Sequence, residues 1–171
     1  MIDIETTGTD PAHAAIIQIA AVKFSLETKE IDTASMFCRS LWIPPGRFWD
    51  ENTRDWWGRQ NQDILNGIYD RMEDPRVVMN EFFDWGNGLN LVMPARMWAK
   101  PISFEYPFLS SYFKQFDLHM PFHFRYAKDV NTFLFAKGHD PSVFWRGVPP
   151  AGDAHHALFD VLTQIHGVFL A

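Results

Sequence analysis

Short apolar runs alternate with turn-forming clusters along this chain, at spacings that predict strands first and helices later. Ile2 to Ile4 reads as the end of a first strand, closed by turn chemistry from Thr6 to Pro11, with Gly8 and Asp10-Pro11 as breakers. Two longer apolar runs, around Ile16 to Phe24 and Met36 to Ile43, are separated by the charged stretch SLETKEID, which suits an antiparallel hairpin or meander. The turn IPPGRF then leads into ENTRDWWGRQ, a short helix that Asn52 or Thr53 could cap. EDPRVVMNEFFDWGNGL is a clearer helix: Asp74 as N-cap, Pro75 at the first helical position, Val78, Phe82 and Trp85 as apolar positions and Gly86 near the end. LVMPARMWA reads as a buried strand in which Pro94 favours a bulge or an edge. SFEYPFLSSYFKQF follows as a helix, FHFRYAKDV as a strand, NTFLFAKG as a short helix and GDAHHALFDVLTQIHGVFL as the terminal helix. The order predicts an α/β fold: a mixed sheet of about five strands, the first three antiparallel, flanked by helices.

Composition narrows the class. A length of 171 residues suits one domain over 1–171, and 47% hydrophobic with 21% charged residues excludes a disordered chain. Seven Trp and sixteen Phe predict a core built on large rings, although base stacking would draw on the same residues. Fifteen Lys and Arg against twenty-one Asp and Glu give a net charge of -6, which argues against a pure nucleic-acid binding module. An enzyme that meets phosphate through divalent cations is less constrained, because bound metal inverts the local field. Cys38 is the single cysteine, so no intrachain disulfide or cysteine-based zinc site is expected. No apolar run is long enough to span a bilayer, so a soluble, cytoplasmic protein without a membrane partner is expected.

The candidate chemistry is carboxylate chemistry. Asp3 and Glu5 stand two apart on a strand, on one face and roughly 7 Å apart along it. Such a pair is tolerable near a sheet's end if it is solvated or if cations sit between the two. Near the other end of the chain, HHALFDV places two histidines just ahead of Asp160 on the terminal helix. Leu158, Val161, Leu162, Ile165, Val168 and Phe169 form that helix's apolar face by 3.6 periodicity, with Asp160 expected on the opposite side. Histidine can take a proton from water near neutral pH.

DIETTGTDP, ISFEYPFL and HHALFD, in that order, resemble the three exonuclease motifs of the DEDDh 3'-5' exonucleases, which have the ribonuclease H-like fold. TRDWWGRQ and AKPISFEYPFL point to the branch of small phage exonuclease A and the mycobacterial exoribonucleases. The resemblance runs nearly end to end. It implies that four carboxylates hold two divalent cations, Mg2+ or Mn2+, and that a histidine serves as general base. Carried over by position, the metal ligands and catalytic acids are Asp3, Glu5, Glu105 and Asp160, and the His-x4-Asp spacing selects His155 as base. Helix geometry alone favours His156, which is i, i+4 to Asp160.

Thr6, Thr7 and Gly8 would then offer donors to the terminal sugar, Trp57 a stacking ring, and Phe104 a wedge beside the terminal base. Single-stranded RNA or DNA 3' ends are the implied substrates, RNA slightly favoured, with nucleoside 5'-monophosphates as product and a homodimer as a family habit. Two departures stand out. The second motif carries Glu105 where the family has Asp, one methylene longer, so the alternative is a weak or inactive nucleic-acid-binding protein on the same fold. Only Met1 and Ile2 precede Asp3, which leaves the first strand thinly anchored: either its register starts late or a few residues are missing.

Overall fold

Strand β2 (Ile16–Ser25) is the axis on which the other elements pack. Ile16, Ile17, Ile19, Ala20, Ala21 and Val22 are wholly buried, which explains an unbroken apolar run where a sheet wet on one face would alternate. The structure, a computed structural model, describes residues 1–88 and 95–171. Beside β2 run β1 (Ile2–Thr6) and β3 (Glu30–Leu41), both antiparallel to it. The backbone of Met1 pairs with Val22 in both directions, at 2.8 and 3.0 Å, so the first strand is anchored from its first residue.

Two helices, α1 (Glu51–Trp57) and α2 (Gln62–Tyr69), follow β3 and close a small core around Ile17 with Trp57, Leu65 and Ile68. Strand β4 (Met72–Glu73) then adds to β3 in parallel, with Ser40 opposite Met72. Helix α3 (Pro75–Gly88) and helix α4 (Ile102–Gln115) cover one face of the sheet, burying Val78, Met79, Phe82, Phe108, Leu109, Tyr112 and Phe113 against Ile2, Ile4 and Ile19. On the other face, α5 (Val130–Ala136) and α7 (Ala157–Leu170) pack on Ala20 and Val22 through Val130, Leu134, Val161 and Ile165. The short α6 (Pro141–Phe144) lies between α5 and α7 in sequence.

The expected five strands all form, but their ladders divide. One sheet has the order β1-β2-β3-β4; β5 (Trp98–Ala99) and β6 (Lys128–Asp129) form a second, parallel pair, with β5 lying against β1. Of the strand expected over LVMPARMWA, residues 91–94 lie outside the described residues. FHFRYAKDV is strand only at its end. Phe124–Tyr126 is instead a 3-10 turn, because His123 caps it by accepting the Arg125 N–H at 3.2 Å. Helix α2 and β4 had no counterpart in the sequence reading; Asn61 caps α2 by accepting the Asp63 N–H.

Arg47 ties the turn after β1 to α4. Its guanidinium donates to the carbonyls of Pro11 and Ala14, to Gln115 and to Ser111, and lies 4.1 Å over the Tyr112 ring. The Tyr112 hydroxyl in turn accepts the Ile16 N–H at 2.7 Å. Arg47→Met is therefore expected to cost about 2–3 kcal/mol in urea unfolding, and Arg47→Lys to recover little of it, because a point charge cannot serve four acceptors in a fork.

Candidate active site

Alternation along β1 sends Ile2 and Ile4 toward α3 and α4, and Asp3 and Glu5 to the α7 side of the sheet. Both acids are buried, at 8% exposure, although each could have been solvated at an open sheet edge. Glu105, in the first turn of α4, is more buried still at 3%, and Asp160 sits half-buried in the first turn of α7. Carboxylates at helix N-termini meet the positive end of the helix dipole, which stabilises them modestly.

That stabilisation does not offset burial among like charges. Burial, then the charge of Asp160, pushes the Asp3 carboxyl up to about 8. Glu5 is raised well above the ordinary carboxylate range by burial and by Asp3, Asp160 and Glu105. Burial and Asp3 push Glu105 up to about 9. Asp160 is raised by burial, opposed by the hydrogen bond it accepts from the His155 backbone.

His155 completes the group. Ligand atoms of Glu5, His155 and Asp160 all lie within 4.8 Å of one another. The residue precedes α7 in the left-handed region at φ 64°, and its N–H donates to Asp160 Oδ2 at 3.0 Å. Its ring stands edge-on to Trp56 at 4.7 Å. His156, by contrast, is the N-cap position of α7. Its ring packs on Phe159 at 4.7 Å, Nδ1 is buried without a hydrogen bond among the described residues, and burial lowers its pKa. The helix begins only at Ala157; the His156 carbonyl accepts the Asp160 N–H at 3.1 Å, but the residue itself is extended at φ -112° and ψ 109°, so its side chain does not leave the helix in the direction the i, i+4 argument assumed.

The terminal helix is rotated from the face read in the sequence. Ala157, Val161, Gln164, Ile165, Gly167 and Val168 are its buried positions, so Asp160 borders the buried face and does not oppose it. Gln164, one turn after Asp160, donates from Nε2 to Asp3 Oδ1 at 2.7 Å and orients that carboxylate. Gln18, opposite Glu5 on β2, accepts the Ala157 N–H at 2.8 Å and so fixes the start of α7. A bulge between Glu5 and Thr6 shifts the register beside these residues. Sequence reasoning missed both glutamines; the i+4 spacing of Gln164 from Asp160 was the available signal.

Several residues expected to meet substrate serve the fold. Trp57 is 1% exposed and its indole N–H donates to the Thr6 carbonyl at 3.1 Å, which leaves no ring face for a base. Trp56 is the half-exposed indole of the pair. The Thr7 hydroxyl is wholly buried, donating to the Phe48 carbonyl and accepting the Ala15 N–H. Thr6 donates to the Gly8 carbonyl, and Gly8 has no room for a side chain: a Cβ would stand 2.9 Å from Asp50 Cβ. Phe104 is half-buried against Phe108 at 4.9 Å, with part of its ring free.

Hard oxygen donors with one imidazole suit a divalent cation. The buried Glu105 Oε2 has no hydrogen-bond partner among the described residues, and the mutual repulsion of the acids is what a bound cation would relieve. The residues therefore fit such an ion.

The sequence matches the profile of the family described as 3'-5' exoribonuclease Rv2179c-like domain over residues 1–169. The chain belongs to that family. No curated protein matches. Among solved structures, cell-death related nuclease 4 (CRN-4) superposes with a TM-score of 0.72 at 20% identity, covering 99% of this chain and 61% of its own. Exonuclease I superposes at 0.75 with 14% identity, covering 99% and 39%. The E. coli enzyme in complex with a dT13 oligonucleotide gives 0.64 at 11% identity, covering 99% and 39%. At these identities the likeness is one of fold, and the chain spans about two-fifths to three-fifths of these neighbours. That fold is the ribonuclease H-like one of the DEDDh exonucleases.

An acid whose folded pKa lies above its unfolded value binds extra protons in the native state, so stability falls as pH rises between the two values. For Asp3 and Glu105 that window runs from the ordinary carboxylate range near 4 up to about 8 and about 9. The metal-free protein should melt at progressively lower temperature from pH 5 to pH 9. Millimolar Mn2+ should raise the melting temperature more at pH 8 than at pH 6, because binding releases protons. A flat profile in scanning calorimetry would contradict this.

Proposed function

We propose that the chain is a 3'-5' exonuclease that hydrolyses phosphodiester bonds at single-stranded 3' ends and releases nucleoside 5'-monophosphates. The observation that carries the reading is the gathering of buried Asp3, Glu5 and Glu105 and half-buried Asp160, from β1, α4 and α7, into one mutually repelling cluster, with His155 beside Glu5 and Asp160. Family membership supports the reaction class, and its description favours RNA over DNA. The oligonucleotide complex of exonuclease I supports a single-stranded substrate.

Asp3, Glu5, Glu105 and Asp160 would hold two divalent cations, Mg2+ or Mn2+. When bound, such ions supply charge for the attacking and leaving oxygens of an in-line displacement and lower the pKa of water. Gln164 keeps one Asp3 oxygen engaged, and the other would serve as a ligand to an ion. Glu105, longer than aspartate by one methylene, brings a free oxygen from α4. His155 takes the proton of the attacking water; its backbone tie to Asp160 and the Trp56 edge hold the ring over the acids. Trp56, edge-on to His155, and Phe104, next to Glu105 in the chain, are half-exposed rings on which the terminal base would rest.

A 5'-labelled oligoribonucleotide with Mn2+ or Mg2+ should shorten stepwise from its 3' end, with 5'-monophosphates recovered in the supernatant. Asp3→Ala should abolish this. His155→Ala should lower kcat by about 10²–10⁴-fold, and His156→Ala far less. Binding of the oligonucleotide without shortening, or the opposite ranking of the two histidines, would overturn the assignment in whole or in that part.

A further inference from the structure

Four arginines and lysines near the motifs are candidates for meeting phosphate: Arg54, Arg59, Lys100 and Arg125. The structure separates them. Arg54 lies 5.9 Å over the Trp49 ring and Arg125 5.6 Å over the Phe124 ring. Arg59 is exposed. Lys100 is half-buried directly after β5, the strand that lies against β1, and it is the cation whose charge is felt at Asp3, Glu105 and Asp160.

Its position is built. The Nζ atom lies 4.0 Å over the Trp145 ring, where an ammonium is attracted by the negative face of the indole. Trp145 is itself fixed from two sides: its indole N–H donates to Asn131 Oδ1 at 3.0 Å, and its ring lies so close over Gly167 of α7 that a Cβ there would stand 2.4 Å away. At the other end of the lysine, the Ile102 N–H donates to Asp129 Oδ2 at 3.0 Å, which pins the segment between β5 and α4. Among the described residues the ammonium makes no ion pair within 4.0 Å. It stands near the acids without being used up by them, and an indole face accepts no conventional hydrogen bond from its three N–H groups.

We propose that Lys100 is a substrate-binding residue that donates to a phosphate oxygen of the terminal dinucleotide of the nucleic acid. This rests on the exonuclease reading above. The acids repel a phosphate until cations neutralise them, and a positive group held beside them supplies attraction that does not depend on metal loading. A net charge of -6 gives the chain no general field for that task, so one placed ammonium matters more here than on a basic nuclease. Trp145 packs on α7, the helix that carries Asp160 and Gln164, so the lysine's perch and one of the acids share a support.

The test compares wild type, Lys100→Gln and Lys100→Arg for kcat/KM on a short oligoribonucleotide across KCl concentrations, together with Mn2+ binding by calorimetry without substrate. Lys100→Gln should lower kcat/KM about tenfold, mainly through KM, and flatten the slope of log kcat/KM against log salt by about 0.7, the value for one single-strand phosphate contact. Lys100→Arg should restore the slope, and Mn2+ affinity should stay within about twofold. An unchanged slope in Lys100→Gln overturns the proposal, as does a tighter Mn2+ affinity with unchanged slope, which makes Lys100 a counter-ion of the acids. Wild type that cleaves nothing sinks the exonuclease reading and this proposal with it, whereas cleavage with an unaltered slope sinks this one alone. Should Lys100→Gln not fold, a wild-type complex with Mn2+ and a nucleoside 5'-monophosphate decides: Nζ within about 3.2 Å of a phosphate oxygen is expected. An ammonium left on Trp145 out of reach contradicts it.

Discussion

Like charges forced together in a buried site are the constraint around which this molecule is organised. Two unit charges 4 Å apart at an effective dielectric near 20 repel by about 4 kcal/mol, and Asp3, Glu5, Glu105 and Asp160 interact in this sense, the charges of Asp3, Glu105 and Asp160 each raising the pKa of at least one other acid of the group. Protonation relieves the repulsion, which is why burial and neighbours hold Asp3 up to about 8 and Glu105 up to about 9. Divalent cations would relieve it too, with the carboxylate oxygens as their ligands. The fold must supply the difference from elsewhere, and it does so with apolar packing on both faces of β2.

The supports of the site are polar groups that lock the acids without neutralising them. Gln164 fixes Asp3, Gln18 fixes the first turn of α7, and the Asp160–His155 backbone bond fixes the turn on which the imidazole sits. Arg47 and Tyr112 hold the loop after β1 against α4, which carries Glu105. Each support joins two elements that contribute different acids or their flanks. Small losses in packing would therefore be read out as misplacement of ligands, to which metal sites are sensitive at the scale of tenths of an ångström.

Much of this was legible in the residues. Alternation on β1, the breaker cluster after it and the order of the three motifs placed Asp3, Glu5, Glu105 and Asp160 on the right elements, because those signals are local. The rotation of α7 was not legible: Leu158 and Leu162 satisfy the helical period as well as Ala157 and Gln164 do, and only packing on Ala20 and Val22 chooses between the two faces. Trp57 and Thr7 illustrate the same limit. Their chemistry suits a ligand, yet the fold consumes it, the indole on the Thr6 carbonyl and the hydroxyl on Phe48 and Ala15. Likewise, nothing in the residues around Lys100 marks it out; its perch over Trp145 and its charge felt at Asp3, Glu105 and Asp160 come from the fold.

For the proposed hydrolysis, Asp3, Glu5, Glu105 and Asp160 must share a common set of divalent ions. Anomalous diffraction from a crystal soaked in Mn2+ tests this most directly. Two peaks about 4 Å apart, with oxygens of all four carboxylates in the coordination spheres, are the predicted result. Absence of ordered manganese between β1 and the N-terminus of α7, or a Glu105 carboxylate turned away from both ions, would contradict it.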